Sequence, residues 1–170
     1  HIKIKDNKVI VDFNGKKNVR NTCTIRNKKL VKTLKQKRRT LNKDDNIFTY
    51  REGNKYYNIK SGDVNNYLKQ FGDFSAKNFR TWGANIELIY QLLKFCSKDF
   101  PDTNGKTKRL LNTCIKKVAN KLHNTSAVCK SNYLDPEIIN LFVENPNKFR
   151  NIFNVKKINK DKINSKYINF

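Results

Sequence analysis

The sequence predicts an α+β fold, predominantly α-helical, with a small N-terminal β-hairpin or sheet. Three observations support this. Residues 8–13 (Lys-Val-Ile-Val-Asp-Phe) are rich in β-branched side chains and run into Asn14-Gly15, a hairpin signal because a type I′ turn needs positive φ at both central positions. From residue 61 onward apolar side chains recur at helical spacing. The three prolines fall between these segments or at their starts. A length of 170 residues suits one domain with one core of moderate size. We divide it into a β-hairpin region (1–26), a helical core (27–146) and a Lys/Asn-rich C-terminal segment (147–170).

Taken in order, the first strand should return through residues 17–26, leaving Lys16 at the hairpin tip. Residues 29–38 form a short basic helix. Residues 40–60 are mostly loop, with one short strand at 47–50. Ser61 is placed to cap a helix over 62–71, with Val64, Tyr67, Leu68 and Phe71 on one face. A longer helix runs from about Ser75 to Cys96, with Ile86, Ile89, Leu92, Leu93 and Cys96 at helical spacing. The next is the clearest: Leu110, Leu111, Cys114, Ile115, Val118, Ala119 and Leu122 form one apolar stripe, and Arg109, Lys116, Lys117 and Lys121 take the other face. It should end near Asn124, leaving residues 124–133 as a loop or short turn that holds Tyr133. Asp135-Pro136-Glu137 is a helix start, with Asp as N-cap and Pro at the first helical position. That helix runs to Glu144 and stops at Asn145-Pro146. The remainder is one last amphipathic helix or a mobile tail.

Net charge is +23, from 37 basic against 14 acidic residues, which points to a polyanionic partner, most simply nucleic acid. The abundance of Lys, Asn and Ile is also what AT-rich coding produces, so composition alone inflates the lysine count. The basic residues are spread along the chain rather than gathered on one amphipathic helix, and no apolar run approaches the roughly 18 residues of a membrane span, so a membrane role is not expected. Cys23, Cys96, Cys114 and Cys129 form no CxxC pair and the two histidines, His1 and His123, lie far apart, so neither zinc nor another metal is expected. Dispersed cysteines and the lack of a signal-peptide pattern suggest free thiols in a reducing compartment. The absence of methionine leads us to expect a processed or truncated piece of a longer product.

Four side chains suit the chemistry of breaking and resealing a phosphodiester without a metal ion. Tyr133 can attack in line, and its phenolate is a good enough leaving group for the reverse step. Arg80 is always charged and can grip two phosphate oxygens at once. Lys16 can protonate a departing alkoxide if neighbouring cations and burial make it a readier donor. Asn124 can donate an uncharged hydrogen bond. Each also has an ordinary structural alternative. Alone, they would support only a basic nucleic-acid-binding module. No phosphate-binding loop or carboxylate cluster is present, so no cofactor, ATP or magnesium is expected.

Two strings carry a resemblance. Lys77-Asn78-Phe79-Arg80-Thr81-Trp82-Gly83 resembles the arginine motif of the poxvirus-like type IB DNA topoisomerases, including versions from bacteria and giant DNA viruses. Residues 122–133, from Leu122 through His123-Asn124-Thr125-Ser126-Ala127-Val128 to Tyr133, are similar to that family's tyrosine motif. Phe13-Asn14-Gly15-Lys16 resembles its lysine hairpin. The resemblance implies the DNA breaking-rejoining catalytic fold that this family shares with tyrosine recombinases. It also implies relaxation of supercoiled double-stranded DNA by a monomer, through a 3′-phosphotyrosyl link at Tyr133. Arg80 would stabilise the transition state, Lys16 would protonate the 5′-hydroxyl, and Asn124 would stand where many members have histidine. The protein would then work at the site of viral or cellular DNA. Ser126 replaces the family's usual proline. The family has a further arginine upstream of the lysine and a small N-terminal clamp domain. Neither is found here, since Arg20 and Arg26 follow Lys16. The fragment by itself is therefore expected to be weakly active or inactive. Two rivals remain at this stage. One is a tyrosine recombinase, whose central box usually reads His-x-x-Arg where this chain has Lys77 three before Arg80. The other is a non-catalytic basic nucleic-acid-binding module.

Overall fold

The computed structural model describes residues 1–15, 18–42, 45–98, 100–154 and 158–170. They form two compact units, His1–Gly72 and Asp73–Phe170.

Among the described residues the first unit holds five strands and two helices. β1 (Ile2–Lys5), β2 (Lys8–Asn14) and β3 (Arg20–Ile25) make an antiparallel sheet in sequence order. Its register runs Ile4↔Val9 on one side of β2 and Val11↔Cys23 on the other. β1 goes beyond the expected hairpin. Asp6, at φ 48°, turns it into β2. Asn14-Gly15 does not make the expected tight turn. Asn14 is the last paired residue, opposite Arg20, and the positive φ falls on Asn18 (58°) instead. Gly15 accepts from Asn18 N–H and donates to Val19 O (3.1 and 2.8 Å), closing a longer connection. A Cβ at 15 would lie 2.7 Å from Asn21 Nδ2, so any other residue there requires the Asn21 amide to move aside. Lys16, the expected hairpin-tip residue, lies outside the described residues.

α1 (Lys28–Arg39) begins at Asn27, whose side chain accepts from Leu30 N–H at 2.9 Å. Its Val31 and Leu34 pack with Val9 and Ile47 into a small core. Residues 40–60 hold a hairpin rather than mostly loop. β4 (Thr49–Glu52) pairs with β5 (Lys55–Asn58) through a turn in which Gly53 takes φ 58°. α2 (Ser61–Lys69) starts one residue earlier than expected, with Lys60 rather than Ser61 at the N-cap. Val64, Tyr67 and Phe71 of its expected apolar face are exposed.

The second unit contains six helices among the described residues: α3 (Ala76–Cys96), α4 (Asn104–Lys121), α5 (Ser126–Tyr133), α6 (Pro136–Glu144), α7 (Pro146–Ile152) and α8 (Lys160–Tyr167). Its core contains Leu88, Ile89 and Leu92 of α3, Cys114 and Val118 of α4, Ile138 and Phe142 of α6, and Phe149, Phe153 and Ile163, each fully buried. Ile89, Leu92, Cys114 and Val118 are among the positions that helical spacing selects. Each such large side chain stabilises the unit by about 1.5–3 kcal/mol. Phe142, Phe149 and Phe153 pack as a chain of tilted rings with centroids 5.1 and 5.0 Å apart. Asp135 caps α6 as expected, accepting from Glu137 N–H at 2.9 Å, with Pro136 at the first helical position. Pro146 ends α6 by opening α7, because a proline that cannot continue one helix can begin the next.

Two expectations are corrected here. Residues 126–133 form a helix, not a loop, and Tyr133 is its last residue. Thr125 caps it, accepting from Val128 N–H at 3.3 Å, and Cys129 anchors it in the core. The Lys/Asn-rich C-terminal segment carries two short helices, α7 and α8.

Candidate active site

Arg80 lies in the second turn of α3. That helix starts at Ser75, whose backbone N–H donates to the Asn78 side chain at 3.0 Å. The first turn is thereby fixed, and Arg80 projects from it as an exposed side chain.

α4 ends in a Schellman motif. Asn124 N–H bonds back to Ala119 O (2.9 Å) and His123 N–H to Asn120 O (3.2 Å), with His123 in the left-handed region at φ 55°. The motif fills the carbonyls of residues 119 and 120 and leaves that of Leu122 for side chains. Arg80 Nη2 donates to Leu122 O at 2.5 Å, and Asn124 Nδ2 donates to the same oxygen at 3.3 Å. The guanidinium carbon of Arg80 also stands 5.1 Å from the centre of the Tyr133 ring. One guanidinium therefore gathers three of the four residues singled out in the sequence: Arg80, Asn124 and Tyr133. The fourth, Lys16, lies outside the described residues. His123 has a backbone role, ending α4.

Asn85 was not anticipated. It is 1% exposed and sits one turn beyond Arg80 on α3. Its Nδ2 donates to Tyr133 O (3.2 Å) and to Thr81 O (3.1 Å), while its Oδ1 accepts from Asp135 N–H (2.8 Å). One amide thus fixes the backbone on both sides of Leu134. The signal was present in the sequence: the stripe Ile89, Leu92, Cys96 continues back to residue 85, where a polar side chain occupies a core position. A buried amide needs partners.

Charge around the site is organised. Glu87 accepts from Lys121 (2.6 Å), from Lys160 and from Gln91 (2.9 Å). Burial opposes its ionisation, but these donors outweigh it and hold the carboxyl at about 2. Arg80, Lys121, Lys160 and Glu87 line an open cleft of about 510 Å³ on this unit. One turn before Tyr133, burial pushes the Cys129 thiol up while the charge of Arg80 opposes the shift. In the first unit Arg20 grips Asp12 through two bonds (2.9 and 2.8 Å), and this interaction lowers the Asp12 carboxyl. Arg20 therefore braces the hairpin.

Arg80 thus stands over Tyr133 at the end of the eight-residue α5, with the Asn124 amide beside them. Residues 1–159 match the model of the family described as eukaryotic DNA topoisomerase I, catalytic core. The chain belongs to that family. It is also 30% identical over 156 residues to the DNA topoisomerase 1B of Acanthamoeba polyphaga mimivirus, covering 88% of this chain and 46% of that protein. The chain thus spans about half the length of the curated relative it matches.

Proposed function

We infer that the chain is the catalytic region of a type IB DNA topoisomerase with the DNA breaking-rejoining fold, acting on double-stranded DNA. The observation that carries this is the guanidinium of Arg80 held 5.1 Å from the Tyr133 ring while sharing a carbonyl with Asn124. A phosphate entering there takes over donors that now bind Leu122 O. Its non-bridging oxygens accept from Arg80 and from the Asn124 amide, both already aimed at one point, which is how positioned donors stabilise developing charge.

The steps balance without an external energy source. The phenolic oxygen of Tyr133 forms a bond to phosphorus as the bond from phosphorus to the 5′ oxygen breaks. The phenolic proton leaves to solvent or a neighbouring base, and Lys16 supplies a proton to the 5′ oxygen. The strand then rotates while the 3′ phosphate stays on tyrosine. The 5′-hydroxyl attacks the phosphotyrosyl link, restores the phosphodiester and releases the phenol. The energy of the broken bond is kept in the link, so ATP is not needed.

The test is relaxation of supercoiled plasmid by the full-length protein in excess chelator, quenched with detergent. Wild type should relax the plasmid and leave a covalent adduct, and Tyr133→Phe should bind DNA equally well and form none. Relaxation by Tyr133→Phe at more than a few per cent of the wild-type rate would rule the assignment out.

A further inference from the structure

The family match ends at residue 159, and α8 begins at Lys160. Yet α8 touches the arginine string and the turn that follows the tyrosine string. Trp82, two residues after Arg80, donates from its indole N–H to Asn164 Oδ1 at 2.6 Å and packs on the Tyr167 ring with centroids 4.4 Å apart. Tyr167 in turn donates from its hydroxyl to Asp135 Oδ2 at 3.2 Å, two residues after Tyr133. At the other end of α8, Lys160 binds Glu87 of α3.

We propose that α8 is a clasp on the active site, and that Tyr167 is a positioning residue holding the turn after Tyr133 against the helix that carries Arg80. The placement of the contacts supports this. One ring and its hydroxyl reach Trp82 of the arginine motif and Asp135 just past the tyrosine motif, each two residues from the reacting side chain. Asp135 is held from three directions: its backbone N–H by Asn85, Oδ1 by Glu137 N–H, and Oδ2 by Tyr167. Asn85 ties that turn to α3 from within the core, and Tyr167 ties it through α8. Burial and the negative charge of Asp135 hold the Tyr167 phenol above its ordinary range, which keeps it a donor. A stack that served only stability would not need a hydroxyl aimed at the N-cap of α6.

What this says about rate rests on the topoisomerase reading; what it says about the order of the turn does not. The experiment uses the full-length protein with Tyr167→Phe, which keeps the stack and loses the hydrogen bond, and Tyr167→Leu, which loses both. Three quantities are measured at a temperature below the melting of every variant: the single-turnover rate of covalent adduct formation, the Kd for the same duplex, and amide hydrogen exchange of residues 126–137. A displacement approaching 1 Å costs about 100-fold in rate, so Tyr167→Phe should be slower by about 10-fold and Tyr167→Leu by about 100-fold. The Kd should stay within twofold of wild type, and exchange of residues 126–137 should be faster in both variants. Should Tyr167→Leu fail to fold, Tyr167→Phe decides. Cleavage within twofold of wild type, or unchanged exchange across residues 126–137, overturns the clasp. If the wild-type protein forms no adduct at all, the topoisomerase reading fails and exchange alone decides the clasp: faster exchange upholds it and unchanged exchange overturns it.

Discussion

Replacing Asn85 with alanine should damage stability and chemistry together. The side chain is 1% exposed and makes bonds of 2.8, 3.1 and 3.2 Å. Thr81 O keeps its place in the ladder of α3, so that bond counts least. The other two matter more, because removing the amide strips partners from Tyr133 O and Asp135 N–H at a buried turn. Each buried polar group left without a partner costs about 1–3 kcal/mol, so the sum is about 2–6 kcal/mol. At about 2–4 °C per kcal/mol for a chain of 170 residues, the melting temperature should fall by about 4–24 °C. Asn85→Asp gives a second handle. It keeps the acceptor for Asp135 N–H but faces Tyr133 O with a carboxylate oxygen. Burial and that carbonyl should raise the carboxyl above its ordinary range, so its deficit relative to wild type should shrink as pH is lowered from 8 toward 5. Thermal melts across this range, paired with adduct-forming rates well below the transition, make the assay. A melting temperature for Asn85→Ala within about 2 °C of wild type, with an unchanged rate, would refute the reasoning.

Three further outcomes follow from the site and its charges. Arg80→Lys keeps the charge but cannot present two parallel donors, so adduct formation should slow by about 100- to 1,000-fold while duplex affinity changes by less than threefold; a rate within threefold of wild type would contradict the role given to Arg80. The Glu87 carboxyl, held at about 2 against an ordinary 4.5, contributes stability that is present above about pH 4.5 and is lost as pH falls toward 2. That contribution is about 3 kcal/mol, so Glu87→Gln should flatten the acid limb of the stability profile, and an unchanged acid limb would show that the lysine pair does not matter. Duplex binding should weaken with salt at a log–log slope near −5 if roughly six phosphates are neutralised. A slope shallower than about −2 would remove the electrostatic reading of the +23 charge.

Legibility differed by element for physical reasons. α3 and α4 were readable because their apolar stripes bury against one core, and burial selects 3.6-residue spacing. Asp135-Pro136 was readable because N-capping and a fixed φ are local chemistry. α5 was missed because it is only eight residues long and buries little beyond Cys129, so no periodic signal develops. The β4–β5 hairpin was missed because its side chains are mostly exposed and its order comes from pairing, including Tyr50 on Tyr57 at 5.5 Å. Asn14-Gly15 misled for a related reason: Asn18 supplies the left-handed residue in a longer connection. Within the site, Arg80, Asn124 and Tyr133 were legible through their motif strings. The contacts of Asn85, Trp82 and Tyr167 were not, although Asn85 marks itself as a polar residue on a core stripe and Trp82 stands in the arginine string: their partners across the fold lie 32 to 85 residues away in the chain and only folding brings them together.

The most direct test of the account is to identify the residue that carries DNA. Full-length protein is mixed with supercoiled plasmid, trapped with detergent, digested with nuclease and trypsin, and examined by mass spectrometry. Lys130 and Lys148 bound the tryptic peptide of interest. The account predicts a nucleotide 3′-phosphate on the peptide spanning residues 131–148, fragmenting to Tyr133, and its loss in Tyr133→Phe. A DNA adduct on any other tyrosine, or relaxation with no adduct on this peptide, would contradict it.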